Sequence, residues 1–170
     1  MIRPLTAADH DAAARIYNHY VTTSTATFQT EPVSAEEWAA ESLAGEPGRH
    51  GAWAVEDGDG TFAGYVLVTP FKSRCAYRDS AEVTVYLAPE RTGRGLGRAA
   101  LAHVDGHARE AGLHALLAVV SAENTASLAA FARAGYDEVG RLREVGNKFG
   151  RLLDVAYLEK VVAASVGSSA

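Results

Sequence analysis

Three glycines and three arginines share the eight residues Arg91-Thr92-Gly93-Arg94-Gly95-Leu96-Gly97-Arg98, immediately ahead of a run with helical spacing. Glycine lets a backbone approach a ligand closely and turn successive N–H groups toward one point, and a following helix adds partial positive charge at its N-terminus. A phosphate or pyrophosphate suits such a loop, with a solvated glycine-rich connector as the plainer alternative. The string is not a dinucleotide fingerprint, which needs G-x-G-x-x-G and an acid about 20 residues on. Here the third glycine arrives one residue early and Leu116 to Val119 is apolar. Nor is it a P-loop: G-x-x-x-x-G-K-S/T occurs nowhere in the chain, which disfavours nucleoside triphosphate chemistry. A second basic cluster, Lys72 to Arg78, also suits small anions.

Other constellations carry less. His103 and His107 lie four apart on a helical run, but Val104 stands where H-E-x-x-H demands Glu, so helix surface is expected and no metal site. Cys75 is the single cysteine; without a base partner in sequence it reads as a bystander. It excludes an internal disulfide and suits a reducing compartment, so the expected location is cytoplasmic. No G-x-S-x-G string supports a serine hydrolase. With 16 Lys+Arg against 21 Asp+Glu, the net charge of −5 disfavours a duplex nucleic-acid partner. Neither an apolar leader in Met1 to Asp11 nor an apolar run of about 18 residues is present, so export and membrane insertion are not expected.

The elements that must position these groups read as one unit over residues 1–162, with 163–170 a low-complexity tail expected to fray. Thr6 to Asp9 and Ser34 to Glu37 fit the S/T-x-x-D/E helix start, which predicts helices at about Ala7 to Tyr20 and Ala35 to Leu43. Trp53 to Glu56 and Phe62 to Thr69 flank Asp57-Gly58-Asp59-Gly60 as a hairpin that Pro70 stops. Glu82 to Leu87 alternates, so that Glu82, Thr84 and Tyr86 share one face and Val83, Val85 and Leu87 the other. A helix over Leu96 to Ala111, a strand over His114 to Val120, a helix over Thr125 to Ala134 and strands over Asp137 to Arg143 and Leu152 to Val162 follow. The pattern is α+β on a mostly antiparallel sheet.

At this point the chain resembles the GNAT superfamily of N-acetyltransferases, whose acetyl-CoA loop Q/R-x-x-G-x-G/A is matched by Thr92-Gly93-Arg94-Gly95-Leu96-Gly97. Tyr17-Asn18-His19-Tyr20, Thr23-Ser24-Thr25 with Phe28, Glu31-Pro32, Pro70-Phe71-Lys72, Ala76-Tyr77, Val85-Tyr86 and Lys148-Phe149-Gly150 with Asp154 resemble its phosphinothricin and methionine sulfoximine branch, over about residues 2–160. The resemblance implies the GNAT fold, a mixed sheet of about seven strands with about four helices and a splayed strand pair for acetyl-CoA. It also implies a homodimer and a small amine or amino-acid substrate.

Carried over residue by residue, the resemblance makes Glu82 the general base, with a solvated strand carboxylate as the alternative. It assigns acetyl-CoA to Val85, Tyr86, Leu87, Gly93, Arg94, Gly95, Leu96, Gly97, Arg98 and Asn124. Asn124 can equally cap a helix beside Ser127. Phe28, Lys72, Arg74 and Tyr77 would hold the substrate, the cations on an acidic group, or else form a solvated basic loop. Two positions depart from the family: Thr92 replaces the loop's usual Gln or Arg, and Phe131 replaces a Tyr or His that could protonate a thiolate. No side-chain general acid is therefore assigned. The reaction implied is acetylation of an α-amino group by direct attack in a ternary complex. Acetylation of another amine, such as a protein N-terminus or polyamine, and a non-catalytic acyl-CoA sensor remain as alternatives.

Overall fold

Alternation along one strand, Ser80–Leu87, organises the molecule. In the computed structural model, which describes residues 1–162, Val83, Val85 and Leu87 join one hydrophobic cluster and Tyr86 joins another, on opposite faces of a single sheet. The predicted tail, residues 163–170, lies outside the described residues. The strands are β1 (Ile2–Pro4), β2 (Gly51–Glu56), β3 (Phe62–Pro70), β4 (Ser80–Leu87), β5 (Ala115–Ser121), β6 (Asp137–Lys148) and β7 (Arg151–Val161). They form a seven-stranded sheet in the order β1-β2-β3-β4-β5-β7-β6, antiparallel everywhere except between β4 and β5.

Helices α1 (His10–Thr23) and α2 (Ala35–Ser42) cover the Tyr86 face, and α3 (Leu96–Glu110) and α4 (Thr125–Arg133) cover the other. Both capping boxes read from the sequence are made, the one at Ser34 at the start of α2 and the one at Thr6 at a 3-10 turn ahead of α1. Ser34 Oγ accepts the Glu37 N–H at 3.1 Å while the Glu37 carboxylate accepts the Ser34 N–H at 2.8 Å. At Thr6 the Asp9 carboxylate accepts both the N–H and the hydroxyl, and it also binds Arg3 at 2.8 Å. That guanidinium is the main reason the Asp9 carboxyl sits well below the usual range.

Three expectations are revised and one strand is added. Strand β1 has only three residues, too few to show a period, and its pairing with β2 is a tertiary contact. Helix α1 follows a single 3-10 turn at Ala7–Asp9 and runs on to Thr23. Strand β6 continues past Arg143 to Lys148, because bulges between Glu138 and Gly140 and between Leu142 and Gly146 break its alternation without ending its pairing. His103 and His107 do not sit on an open helix surface: they pack edge-on at 5.0 and 4.6 Å against Trp53, and His107 Nε2 meets the Arg49 carbonyl at 3.0 Å.

Close approach of β3 to β4 depends on Gly64, whose φ is +158°. A Cβ there would overlap the Tyr86 carbonyl oxygen and lie 2.8 Å from the Leu87 Cα, both backbone atoms that cannot swing aside. Gly64→Ala should lower stability by about 1–3 kcal/mol through overpacking, visible as a lower Tm in calorimetry. An unchanged Tm would show that the two strands have slack.

Candidate active site

The pairing of β4 with β5 is short: Ser80↔Ala115, Ala81↔Leu116 and Glu82↔Leu117. Beyond Glu82 the strands part, each held by its other neighbour, β4 by β3 as far as Leu87 and β5 by β7 as far as Ser121. The Ala88 N–H donates to Ala63 at 2.8 Å, so by antiparallel alternation Glu82, Thr84 and Tyr86 exchange their bonds with β3. Val85 and Leu87 turn their N–H groups into the gap. Of the three β4 residues that the sequence assigns to acetyl-CoA, Tyr86 spends its N–H on β3 and turns its ring to Tyr17 and Tyr20 on the opposite face. Tyr20, which the sequence reading left without a role, donates its hydroxyl to the Leu87 carbonyl at 2.7 Å, at the edge of the same gap.

The glycine-rich loop enters α3 with Gly93 at φ +73° and Gly95, the N-cap, at φ +82°. Both values strain any residue with a Cβ. The helix's first backbone bond is Ala99 N–H to Gly95, 3.0 Å, so Leu96, Gly97 and Arg98 keep N–H groups free of helical acceptors. This cradle, with exposed Arg94 and Arg98, has the chemistry a pyrophosphate requires. Arg91 is spent elsewhere. It pairs with the buried carboxylate of Asp57, which also accepts the Asp59 and Thr61 N–H groups at 3.0 Å in the β2–β3 turn. Thr92 hydroxyl bonds back to the Pro89 carbonyl at 2.9 Å. The loop can therefore offer main chain, Arg94 and Arg98, but no side chain from its first position.

Asn124 caps α4, its Oδ1 accepting the Ser127 N–H at 3.1 Å. Its amide NH2 makes no bond among the described residues, so capping and ligand contact are compatible. Phe131 is buried in the α3–α4 core, edge-on to Tyr136 at 5.0 Å.

Glu82 lies opposite Thr69 on the face toward α1 and α2, half-buried and without a side-chain hydrogen bond among the described residues. Burial raises its pKa above the ordinary 4.5, and the Lys72 cation pulls partly the other way. Lys72 comes from the loop after β3, its ammonium 5.0 Å from the Phe71 ring, while Tyr77 packs edge-on to that ring at 5.8 Å. Arg74 is exposed, and Arg78 is occupied by Glu46 at 3.1 Å. Cys75 is exposed in the same loop.

Phe28 sits on the α1–α2 connection and packs on Gly146 of β6, where a Cβ would overlap its ring. The connection is tied down by Tyr86 hydroxyl to the Ala26 carbonyl (3.2 Å), by Tyr17 to Thr27 (2.9 Å) and by the buried ammonium of Lys148, which donates to the Thr27 carbonyl at 2.8 Å. Lys148 was legible only as part of a motif. Its burial at the end of an edge strand is a tertiary fact. Beside Glu82, toward β3, the face opens into a cleft of about 240 Å³ bounded by Thr69, Thr84, Leu67 and a group of tyrosines.

A family profile described as acetyltransferase (GNAT) domain matches residues 1–137. The chain is 37% identical to a phosphinothricin N-acetyltransferase of Streptomyces coelicolor over 161 residues, 94% of each chain. It is 30% identical to an L-methionine sulfoximine/L-methionine sulfone acetyltransferase of Salmonella typhimurium over 156 residues, 89% of this chain and 88% of that one. Among solved structures, a phosphinothricin acetyltransferase from Sinorhizobium meliloti in complex with acetyl-CoA superimposes with a TM-score of 0.89 at 29% identity, covering 95% of this chain and 88% of that one.

The electrostatics of Glu82 can be measured directly. Its carboxyl should titrate above 4.5 in a carbon-detected NMR experiment, and Lys72→Met should move the midpoint higher still, because removing a nearby cation disfavours the carboxylate. A midpoint that falls in the variant would contradict the assigned neighbourhood.

Proposed function

The chain belongs to the GNAT acetyltransferase family, and from that premise we propose that it transfers the acetyl group of acetyl-CoA to the α-amino group of a small amino acid or analogue of the phosphinothricin or methionine sulfoximine type. The observation that carries the reading is the position of Glu82, at the residue where β4 leaves β5 and on the face turned away from the α3 cradle. Support also comes from relatives named for acetylating such substrates.

Acetyl-CoA, the co-substrate, supplies the activated acyl group. Gly93 to Arg98 would hold its pyrophosphate through main-chain N–H groups, with Arg94 and Arg98 adding charge. Val85 and Leu87 N–H groups would take the pantetheine and the thioester carbonyl, and Asn124 the pantetheine amides. Donors fixed in a strand need no reorganisation as charge builds on that carbonyl. Glu82 takes the amine proton. With an amine pKa of about 8–10, only roughly 10% to 0.1% is free base at pH 7, a penalty of about 1.4–4 kcal/mol that a carboxylate base relieves. Lys72, Arg74 and Tyr77 hold the acidic end of the substrate, and Phe28 closes the pocket. Phe131 has no proton to give, so the thiolate leaves unassisted or is protonated by water; a thiol pKa of about 8.5 permits it.

The protein acts as a homodimer in this reading. Val139, Leu142 and Val145 on the edge strand β6 and Leu152 on β7 are exposed, and an uncovered apolar edge favours a partner. Light scattering should give twice the 17.9 kDa chain mass.

Thiol release from acetyl-CoA should appear with phosphinothricin or methionine sulfoximine and stay near background with a polyamine or a short peptide. Glu82→Gln should lower kcat by about 100-fold or more while calorimetric acetyl-CoA affinity stays unchanged. Near-normal turnover of the variant across the pH range would remove Glu82 from the mechanism, and binding without release on any amine would favour the acyl-CoA sensor that Phe131 suggests.

A further inference from the structure

The sheet face that carries Glu82 is built in rows, with Tyr65 beside Tyr86, Leu67 beside Thr84 and Thr69 beside Glu82. Five of these six residues line the 240 Å³ cleft, and Glu82 borders its end through Thr69 and Thr84. Helix α2 supplies the opposite wall through Trp38, Glu41 and Ser42. The walls are stiff. Trp38 is buried, its indole N–H donating to the Tyr65 hydroxyl at 3.2 Å, and the Tyr86 ring packs on Tyr17 at 5.5 Å and on Tyr65 at 5.6 Å. The cleft is therefore aromatic at its floor and carries the hydroxyls of Thr69, Thr84 and Ser42 along its sides. Glu41 is its only charged lining residue, exposed and without an ion pair or hydrogen bond among the described residues.

The geometry of an α-amino acid sets how it would lie against these rows. Amine, carboxylate and side chain leave one carbon, so an amine at Glu82 brings the α-carboxylate within reach of Lys72, the cation that acts on Glu82. The acetyl donor would occupy the gap on the β5 side, which leaves the β3 side for the substrate side chain. That side is the cleft.

We infer that this cleft is the side-chain subsite and that Glu41 makes it selective for uncharged, hydrogen-bonding side chains, such as a sulfone or sulfoximine, over anionic ones such as a phosphinate. The inference rests on the proposed amino-acid acetylation. A sulfone fits the aromatic floor and accepts bonds from the threonine hydroxyls, whereas a phosphinate meets the exposed Glu41 carboxylate on the α2 wall. Selection here works by repulsion of the wrong substrate as much as by attraction of the right one. The basic loop is then engaged by the α-carboxylate, which every amino acid carries, and does not itself select acidic side chains.

The test compares L-methionine sulfone with phosphinothricin in wild type, Glu41→Gln and Glu41→Lys, reading kcat/KM for each and titrating each calorimetrically into enzyme saturated with CoA. Because Glu41 is exposed on α2, both variants should fold, which circular dichroism checks. Wild type should prefer the sulfone, and the sulfone-to-phosphinothricin ratio should fall by about threefold to tenfold in Glu41→Gln and further in Glu41→Lys, mostly through KM. If both amino acids are acetylated and the ratio stays within about twofold in both variants, the inference alone is overturned. If neither is bound nor acetylated while another amine is, the amino-acid reading itself fails and the subsite falls with it.

Discussion

A parallel strand pair that closes for only three residue pairs is the constraint on which the rest of the site depends. Strands β4 and β5 are each satisfied on their outer edges, so parting them beyond Glu82 leaves main-chain donors of the half-buried residues Val85 and Leu87 without a strand partner. Unpaired buried N–H groups are costly unless a ligand or water takes them. The polarity of the gap is thus set by backbone donors of β4, not by any side chain that mutation could remove. Tyr20 reinforces the edge by occupying the Leu87 carbonyl.

The same strand separates two chemistries by its two faces. On the α3 side, glycines at positive φ and a helix N-terminus offer a cradle for doubly charged phosphate. On the α1–α2 side, Glu82 sits half-buried opposite Thr69, where loss of water raises the proton affinity of its carboxylate. A single period-two pattern therefore places the Glu82 carboxylate and the apolar residues packed under the α3 cradle on opposite sides of one backbone, at the point where the sheet opens.

Much of the apparent basic character is consumed internally. Arg91 is held by Asp57 and Arg78 by Glu46, ties that anchor the two loops flanking the site. Lys72, Arg74, Arg94 and Arg98 have no ion-pair partner among the described residues and are the charges available to ligands. Counting cations in a segment overstates its binding capacity, because an arginine already bonded to a carboxylate has little left for a phosphate. The thermodynamic role of the consumed pairs is loop placement: the Asp57 carboxylate at once closes the β2–β3 turn and fixes the approach to α3.

What the sequence by itself determined follows from local physics. Period-two alternation placed Glu82 and Val85 on opposite faces of a strand, capping chemistry placed the start of α2 and the turn that leads into α1, and glycine spacing marked the entry to α3, since each depends on residues a few positions apart. The family's motifs extended this to membership of the GNAT acetyltransferases. Tertiary structure alone decided the rest. The short strand β1, the bulged reach of β6 to a buried Lys148, the packing of His103 and His107 on Trp53, the diversion of Arg91 to Asp57 and the cleft walled by Glu41 all join residues far apart in the chain. Such contacts arise from the shared burial of separate elements, and no spacing within a single element encodes them.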